Sequence, residues 1–397
     1  MIIFRIVLSI LIIISVLLCS IEVTHAQLIT FNGVERQITV DTMDQFDSHV
    51  SSRFIVYSDR RNDDADIYVW DIETETELLI ASDSGDQLLT AVWDSLVVFT
   101  DYGEGDAEIY LFQGSATAIT RITTLSSNQR RPVIYGRYIV YEDDRNGNYD
   151  IYMHNLSTMM ETQITTAPSH QRKPAISENF IVWEDYRNGT SDIYAYSIGG
   201  DSIWAIAPFT SSQEVDPDID GSIITFGSNL YTIGDIFYHD LNTGISSAIA
   251  TTDDYERNPS VSGNFISYES YAGGDSDIWL YSIPLGISEK VTIDEAEQYL
   301  NNIYGNRIVY TDNRNDNLDI YEFVFQFEEY ICGDADRSND VNVADLVYMV
   351  NYIFKGGPPP EILDSADVNA SGEINVDDLV YMVNYIFKGG PAPYCVT

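Results

Sequence analysis

Residues 132–165, PVIYGRYIVYEDDRNGNYDIYMHNLSTMMETQIT, contain the unit that decides the fold. Four short segments in it are rich in β-branched and aromatic residues: 132–134, 138–141, 150–154 and 161–165. Such segments are typical of β-strands, and the turns between them contain Gly, Asn and Asp. The sequence therefore predicts four consecutive strands in a unit of about 42 residues.

The third strand of this unit begins with a tripeptide that recurs along the chain. An acidic residue, Ile and an aromatic residue occur together seven times, starting at Asp66, Glu108, Asp150, Asp192, Asp235, Asp277 and Asp319. Repeats of this length with four strands are the signature of propeller blades. We therefore expect a mainly β fold, a seven-bladed β-propeller of four-stranded blades.

The two ends of the repeat array predict closure of the ring. No fourth-strand pattern follows the third strand of the last repeat, at residues 319–324. Residues 35–40, ERQITV, instead match the fourth-strand text ETQIT at 161–165. The N-terminal strand is therefore expected to complete the last blade, which would remove an open sheet edge.

These repeats resemble the TolB-type propeller family, whose units carry a hydrophobic strand, an Asp/Arg/Gly-type turn and an aspartate before Ile-Tyr. The resemblance covers about residues 28–325. It implies the fold and leaves the activity open, because propellers host many unrelated functions.

Two near-identical segments, 334–358 and 367–391, follow the repeats at an offset of 33 residues. Each is an acidic twelve-residue loop followed by an apolar helix. Oxygen-bearing residues occupy positions 1, 3, 5, 7, 9 and 12, as in loops that bind Ca²⁺: Asp334, Asp336, Ser338, Asp340, Asn342 and Asp345, then Asp367, Asn369, Ser371, Glu373, Asn375 and Asp378. Asn339 and Gly372 occupy position 6, where the backbone turns through a left-handed conformation. We expect two calcium ions; the alternative is a pair of solvated turns.

Both loops end in Asp, and neither follows a full helix, so residues 332–397 resemble the type I dockerin along their length. The resemblance implies calcium-dependent binding to a cohesin domain of another protein. By position, the partner-binding role falls on Val343, Ala344, Asn351, Lys355, Val376, Asp377, Asn384 and Lys388. The residues at both helix starts differ from the Ser/Thr of cellulosomal dockerins. A tail that packs within its own chain is the alternative, because little linker separates Phe325 from Cys332.

One apolar stripe on the first helix is expected to pack in a core rather than bind a partner. Its members follow i, i+3, i+4 and i+7 spacing, which places them on one helix face: Leu346, Met349, Val350, Ile353 and Phe354.

The N-terminus and the cysteines predict export. An apolar run at 6–18, too short to span a bilayer, precedes Thr24-His-Ala26, so residues 1–26 read as a signal peptide. Leu18 before Cys19 disfavours a lipid anchor. Cys332 and Cys395 then remain for one disulfide, with two free thiols as the alternative.

No later segment is apolar enough to span a membrane. We therefore expect a secreted, extracellular protein with a propeller at 27–328 and a dockerin-like domain at 329–397.

Charge restricts the partners. The net charge of −42 disfavours nucleic acid and anionic membranes. Arginines occur in four turns between second and third strands, where local pairing with Asp is expected. Others stand in loops that enter first strands, and Arg130, Arg172 and Arg257 are the ligand-face candidates. If these loops surround the central opening, an anionic ligand such as a uronic-acid-containing glycan would bind there.

The sequence assigns no catalytic residues. Its five histidines show no metal-ligand spacing, and a carboxylate pair cannot be recognised among 62 acidic residues. The preferred hypothesis is a binding or scaffold platform, attached through cohesin to an extracellular complex or cell surface in polysaccharide utilisation. The alternative is a carbohydrate-active enzyme, a glycoside hydrolase or polysaccharide lyase.

Overall fold

The computed structural model describes residues 27–395 except 104, 115–117, 207–211, 232–233, 361, 370 and 394. The predicted signal peptide, residues 1–26, and Cys19 lie outside the described residues. Residues 31–326 form one compact unit, and the chain from residue 327 onward belongs to a second. No helix in these described ranges is long and apolar enough to cross a bilayer.

The first unit consists of seven four-stranded antiparallel sheets, so the predicted seven-bladed propeller is confirmed. Blades 1 to 3 contain, in order, β2 (Gln45–Val50), β3 (Phe54–Asn62), β4 (Asp64–Asp71), β5 (Thr76–Ala81), β6 (Gln87–Trp93), β7 (Leu96–Asp101), β8 (Glu108–Gln113), β9 (Ala118–Arg121), β10 (Gln129–Tyr135), β11 (Tyr138–Asp143), β12 (Asp150–Asn155) and β13 (Met160–Gln163).

Blades 4 to 6 contain β14 (Gln171–Ser177), β15 (Phe180–Asp185), β16 (Asp192–Ser197), β17 (Ser202–Ala205), β18 (Glu214–Asp220), β19 (Ile223–Ser228), β20 (Asp235–Asp240), β21 (Ile245–Ala250), β22 (Glu256–Ser262), β23 (Phe265–Ser270), β24 (Asp277–Ser282) and β25 (Ile287–Lys290). Blade 7 consists of β26 (Gln298–Tyr304), β27 (Arg307–Asp312), β28 (Asp319–Ile331) and the N-terminal strand β1 (Gln27–Gln37).

The apolar residues of the second and third strands pack between neighbouring blades. Blades 3 and 4, for example, share a cluster that contains Val140, Ile151, Ile181 and Trp183, all fully buried. An equivalent cluster joins blade 7 to blade 1 through Val309 and Tyr57. The tripeptide that defines the repeat therefore supplies, through its Ile, the contact that holds each blade to the next.

The N-terminal strand closes the ring as predicted, because β1 is the fourth strand of blade 7 next to β28. Arg36 Nε binds Glu322 Oε1 at 2.6 Å, and the Ile38 amide donates to the Ile320 carbonyl at 2.8 Å. Glu35 accepts hydrogen bonds from the Tyr310 hydroxyl and from both Arg314 Nη atoms. Residues from the two ends of the repeat array thus complete one blade.

The arginines of the four Asp-x-Arg-Asn turns pair locally, as expected. Each binds the Asp two residues before it and lies 4.1–4.3 Å from the ring centre of a third-strand tyrosine. These arginines are Arg61, Arg145, Arg187 and Arg314. Three of them also bind a fourth-strand glutamate: Glu77, Glu161 or Glu35. The positive charges of these arginines are therefore paired with carboxylates of the same blade.

The second unit contains helix α1 (Val343–Lys355), a 3₁₀ turn (Leu363–Ala366) and helix α2 (Val376–Lys388). Asn342 and Asn375 cap the two α-helices, each in a capping box with the Asp three residues later. Gly356 and Gly389 end them in the left-handed conformation. The fold class predicted from the sequence, a propeller with a small helical domain, is confirmed.

One position of the propeller gives a pH-dependent prediction. Five blades begin their first strand with a buried Gln, whereas blades 5 and 6 have Glu214 and Glu256. Burial, with a contribution from nearby Asp192, raises the pKa of Glu214 from 4.5 to about 7. The Glu214 carboxyl group therefore binds its proton more tightly in the folded state than in the unfolded state. This protonation stabilises the fold below pH 4.5, and the stabilisation is lost as the pH rises through 7.

Glu214→Gln is expected to raise the melting temperature by a few degrees at pH 8 and to change it little at pH 4. The variant restores the residue type of the other blades and removes the charge that burial disfavours. Thermal unfolding followed by circular dichroism at both pH values measures this. The exposed Glu73→Gln is the matched control; equal behaviour of the two variants would contradict the prediction.

Candidate functional site

Three acidic side chains of the first C-terminal loop come together. The carboxylates of Asp334, Asp336 and Asp345 each offer an oxygen within 4.8 Å of the others. The amides of Ser338 and Asn339 hold Asp334, at 2.9 and 2.8 Å. The Asn342 amide donates a hydrogen bond to Asp345, the last of the three acidic residues, at 2.8 Å. The Asp336 amide also donates to Asp345, at 3.2 Å, so the loop backbone joins positions 3 and 12.

The second loop repeats this geometry. The amides of Ser371 and Gly372 donate to Asp367 at 3.0 and 2.6 Å, and the Asn375 amide donates to Asp378 at 2.8 Å. Gly372 has φ +86° and Asn339 has φ +65°, so position 6 is left-handed in both loops. The duplication therefore extends from the sequence to the backbone.

These residues fit a hard cation. Asn369 Oδ1 and Asp378 Oδ1 are buried without a hydrogen-bond partner among the described residues, as oxygens aimed at an ion would be. In the first loop, burial raises the pKa of Asp345 to about 6, and the charges of Asp336 and Asp334 add to the rise. A bound divalent cation would offset this repulsion.

The remaining predicted ligands have different surroundings. The carbonyls of Asp340 and Glu373, at position 7, accept hydrogen bonds from the hydroxyls of Ser338 and Ser371 at 3.2 and 3.1 Å. The side-chain oxygens of Asn342 and Asn375, at position 9, accept from the amides of Ala344 and Asp377 at 2.8 Å. The position 9 side chains are therefore occupied by helix capping, and position 9 of such loops often acts through a water.

The predicted partner-binding residues lie on accessible parts of the two helices. Six of them are exposed: Val343, Ala344, Lys355, Val376, Asp377 and Lys388. The other two, Asn351 and Asn384, are half-buried and accept hydrogen bonds from Lys355 and Lys388 at 2.9 and 3.0 Å. The two helices thus present equivalent surfaces.

The predicted core stripe is wrong at one residue. Leu346 and Met349 are buried, and Val350 and Ile353 pack against the same cluster. Phe354 instead has 62% of its surface exposed, as does its counterpart Phe387. The sequence reasoning also did not single out Val347 and Val380, which are about half exposed. The spacing of apolar residues in the sequence did not reveal this second, exposed apolar face, because its residues alternate along the helix with those of the buried face.

The predicted disulfide is confirmed. Cys332 and Cys395 are bonded at a sequence separation of 63, and both belong to the buried cluster of the helical domain. In the chain-entropy model, closing a loop of this size stabilises the fold by about 4 kcal/mol. The bond ties the two ends of the calcium-loop region together.

On the propeller, two of the three ligand-face arginines come together. Arg130 and Arg172, from the first strands of blades 3 and 4, lie over the ring of Tyr149, at 4.1 and 5.6 Å from its centre. Both also approach the buried Glu142, with Nε to carboxylate oxygen distances of 3.0 and 3.8 Å. We call Arg130, Arg131, Arg172, Glu142 and Tyr149 the cationic patch.

Arg131 makes this patch strongly basic. Its Nε lies 3.7 Å from Glu142, so three guanidinium groups surround one carboxylate. The Nε atoms of Arg131 and Arg172 have no hydrogen-bond partner among the described residues. Tyr102 lies near enough that the charges of Arg130 and Arg131 oppose the rise in its pKa caused by burial. Three guanidinium groups thus face one carboxylate within the patch, and Asp47 lies near enough to Arg131 for their charges to interact as well.

The third candidate, Arg257, belongs to a separate and neutralised pair. Its Nε binds Glu269 at 2.6 Å, and its guanidinium lies 5.2 Å from the ring centre of Tyr271 in blade 6. Lys173, beside Arg172 in sequence, is likewise paired, with Asp216 at 2.5 Å and Glu184 at 3.0 Å. Arg131 and Lys173 stand in the same first-strand loop sequences as Arg130 and Arg172, but they were not among the ligand-face candidates.

The surroundings of three of the described histidines are defined. The ring of His170 packs on Tyr149, and its Nδ1 accepts from the Tyr149 amide at 3.1 Å. His239 Nδ1 lies 2.9 Å from the Ser246 hydroxyl. His49 lines a cavity on the propeller axis, and burial lowers its pKa to about 4.

Comparison with solved structures supports the propeller fold. The β-propeller domain of the Trilobed protease from Pyrococcus furiosus matches with 11% identity and a TM-score of 0.58, over 72% of this chain and 97% of that one. An oligogalacturonate lyase in complex with manganese matches with 10% identity and a TM-score of 0.55, over 76% and 98%. TolB from Acinetobacter baumannii shows 20% identity and a TM-score of 0.48, over 62% and 65%. This chain thus spans just under two thirds of that TolB.

No curated protein is significantly similar to this chain. The dockerin type I family model matches residues 332–387. Dockerin domains bind calcium, indicate cohesin-mediated assembly and typically occur in extracellular proteins. The match contains the two acidic loops and both helices described above. Residues 332–387 are therefore a dockerin type I domain, and they follow a seven-bladed β-propeller.

Proposed function

We propose that this is a secreted, non-catalytic binding protein whose propeller, residues 27–328, holds an acidic polysaccharide. Its C-terminal region, residues 329–397, binds two calcium ions and docks on a cohesin domain. The signal peptide at 1–26 would deliver it outside the cell, where it would serve polysaccharide utilisation in a complex or on a cell surface.

The docking part is supported by the duplicated loop geometry. Each loop gathers positions 1 and 12 through the same backbone hydrogen bonds, and each carries oxygens suited to Ca²⁺. We propose one ion in each loop, held by the twelve predicted ligands, with Asp340 and Glu373 acting through their carbonyls and Asn342 and Asn375 through water. The exposed helix residues named above would contact the cohesin.

The observation that carries the polysaccharide part is the set of three guanidinium groups around Glu142. Guanidinium groups bind carboxylates through charge-assisted hydrogen bonds, and the Nε atoms of Arg131 and Arg172 have no hydrogen-bond partner among the described residues. A uronic-acid-containing glycan supplies such carboxylates. One solved structure that shares this fold is named as an oligogalacturonate lyase, an enzyme whose name refers to an acidic sugar oligomer.

Arg130→Ala combined with Arg172→Ala is expected to weaken binding of a soluble acidic polysaccharide about a hundredfold, because two charged contacts are lost. Affinity electrophoresis in gels with polygalacturonate or a neutral glucan measures this. Arg257→Ala should have a smaller effect, because Glu269 neutralises that arginine. Arg53→Ala, which removes an exposed arginine paired with Asp71 in blade 1, is the matched control.

Unchanged retention of the double variant would refute the patch as the binding site. Release of reducing or unsaturated sugar ends by the wild-type protein from the same polysaccharides would instead favour the enzyme interpretation.

A further inference from the structure

The first strands of the propeller end in a ring of contacts between neighbouring blades. After three of these strands, a glycine amide in the turn donates to the last first-strand side chain of the preceding blade: Gly221 to Ser177 at 2.8 Å, Gly263 to Asp220 at 2.7 Å and Gly305 to Ser262 at 2.9 Å. In blade 3, Arg130 stands near the start of β10 and Tyr135 at its end, about 16 Å apart along the strand. The ring of contacts therefore lies at the end of the propeller opposite the cationic patch.

Aromatic residues take the place of the small polar residues in another part of this ring. The first strands of blades 2, 3 and 7 end in Trp93, Tyr135 and Tyr304. The ring centres of Trp93 and Tyr135 are 5.8 Å apart. Both of these side chains are half-buried, and 47% of the Tyr304 surface is exposed. Aromatic surface is thus accessible at this end of the propeller.

Tyr135 brings these rings together with two carboxylates. Its hydroxyl donates to Glu178, in the turn after β14 of blade 4, at 3.4 Å. Burial raises the pKa of Tyr135, and the charges of Glu178, Asp220 and Tyr304 add to the rise. Asp220 and Tyr304 belong to blades 5 and 7, which are not neighbours of blade 3, so they approach Tyr135 across the axis. We call Trp93, Tyr135, Tyr304, Glu178 and Asp220 the aromatic-acidic cluster.

The two carboxylates of this cluster are not neutralised by basic side chains. Glu178 accepts from the Tyr135 hydroxyl and Asp220 from the Gly263 amide, and both donors are neutral. Within the part of the chain that the structure describes, no Lys or Arg forms an ion pair with either residue. The cluster therefore keeps two negative charges beside its aromatic rings.

An organic cation fits this combination better than a metal ion does. A calcium ion takes about six to eight oxygen ligands, whereas this cluster supplies two carboxylates among three aromatic rings. The faces of Trp and Tyr rings attract cations, and quaternary ammonium groups are recognised in this way. The net charge of −42 favours the approach of any cation to the protein.

We propose that the aromatic-acidic cluster binds a small quaternary ammonium compound. The charged head group packs against the rings of Trp93, Tyr135 and Tyr304, and Glu178 and Asp220 balance its charge. None of these residues belongs to the cationic patch or to the two C-terminal helices. The inference therefore stands independently of the proposed polysaccharide and cohesin binding.

Titration calorimetry of the full-length mature protein with choline tests this site, with dimethylbutanol, the uncharged carbon isostere of choline, beside it. Wild type should bind one choline per chain, at least about tenfold more tightly than the isostere. Tyr135→Ala should lower choline affinity at least about tenfold, whereas Tyr135→Phe, which keeps the ring, should change it less than about threefold. Tyr255→Ala removes an exposed tyrosine that precedes the first strand of blade 6, at the opposite end of the propeller, and is the matched control.

Asp220→Asn tests the contribution of charge, because the asparagine can still accept from the Gly263 amide. It should lower choline affinity about fivefold and leave the weak binding of the isostere unchanged. Melting temperatures check that each variant is folded. The proposal is overturned if wild type does not bind choline, if it binds both probes equally, or if neither Tyr135→Ala nor Asp220→Asn alters choline affinity.

Discussion

Removal of residues 27–44 is expected to lower the melting temperature of the propeller by about 10–20 °C. The deletion takes away β1, so β28 becomes an open edge and blade 7 has three strands. The almost fully buried Glu322 loses Arg36 and keeps its second ion pair, with Arg307, while Tyr310 and Arg314 lose Glu35. The lost ion pairs, hydrogen bonds and strand pairing are together expected to cost about 5 kcal/mol, and each kcal/mol lowers the melting temperature by about 2–4 °C in a large domain.

A point variant separates strand loss from side-chain loss. Glu35→Gln keeps β1 but weakens its contacts with Arg314, so it should lower the melting temperature by only a few degrees. Differential scanning calorimetry of the mature chain, the deletion and the point variant measures both effects. A deletion that melts at the wild-type temperature would show that the ring does not depend on its N-terminal strand.

Asp345→Asn together with Asp378→Asn is expected to abolish cohesin binding and the response of the helical domain to calcium. Both residues occupy position 12, and their backbone contacts join the end of each loop to the following helix. A neutral amide at this position removes a charged ligand from each site. Without the ion, each loop has no counter-charge for its remaining acidic groups, so α1 and α2 lose the anchor that orients them.

The measurement is retention on a panel of immobilised cohesins, in calcium and in EGTA. Wild type should be retained only in calcium, and the double variant in neither condition. Asp316→Asn makes the same chemical change in an exposed turn of the propeller and is the control. Retention of the double variant at the wild-type level would contradict the role given to position 12.

Periodic features of the sequence predicted the architecture well. The spacing of the Asp-Ile-Tyr tripeptides predicted the position of the third strand in each blade. The Ile of each tripeptide is buried in the packed interface between blades, and burial restricts which residue can stand there. The match between residues 35–40 and a fourth strand predicted closure of the ring. Its physical basis is an ion pair with a turn arginine, which Glu35 forms in blade 7 as Glu77 and Glu161 do in their own blades.

The ligand face was harder to predict because it depends on contacts between blades. Glu142 comes from the second strand of blade 3, yet it binds arginines of blades 3 and 4. The bulge at Arg131 interrupts the two-residue alternation of a strand, so the sequence pattern could not predict on which side of the strand Arg131 lies. Arg257 occupies the first-strand position equivalent to Arg172, but it has its own carboxylate partner, Glu269.

The measurement that tests the central claim most directly is the calcium stoichiometry of the full-length mature chain. Isothermal titration after exhaustive chelation, with the Asp345→Asn/Asp378→Asn variant beside the wild type, provides it. The account predicts two ions bound per wild-type chain and none in these loops of the variant. Uptake of no calcium by the wild type, or the same uptake by both proteins, would contradict it.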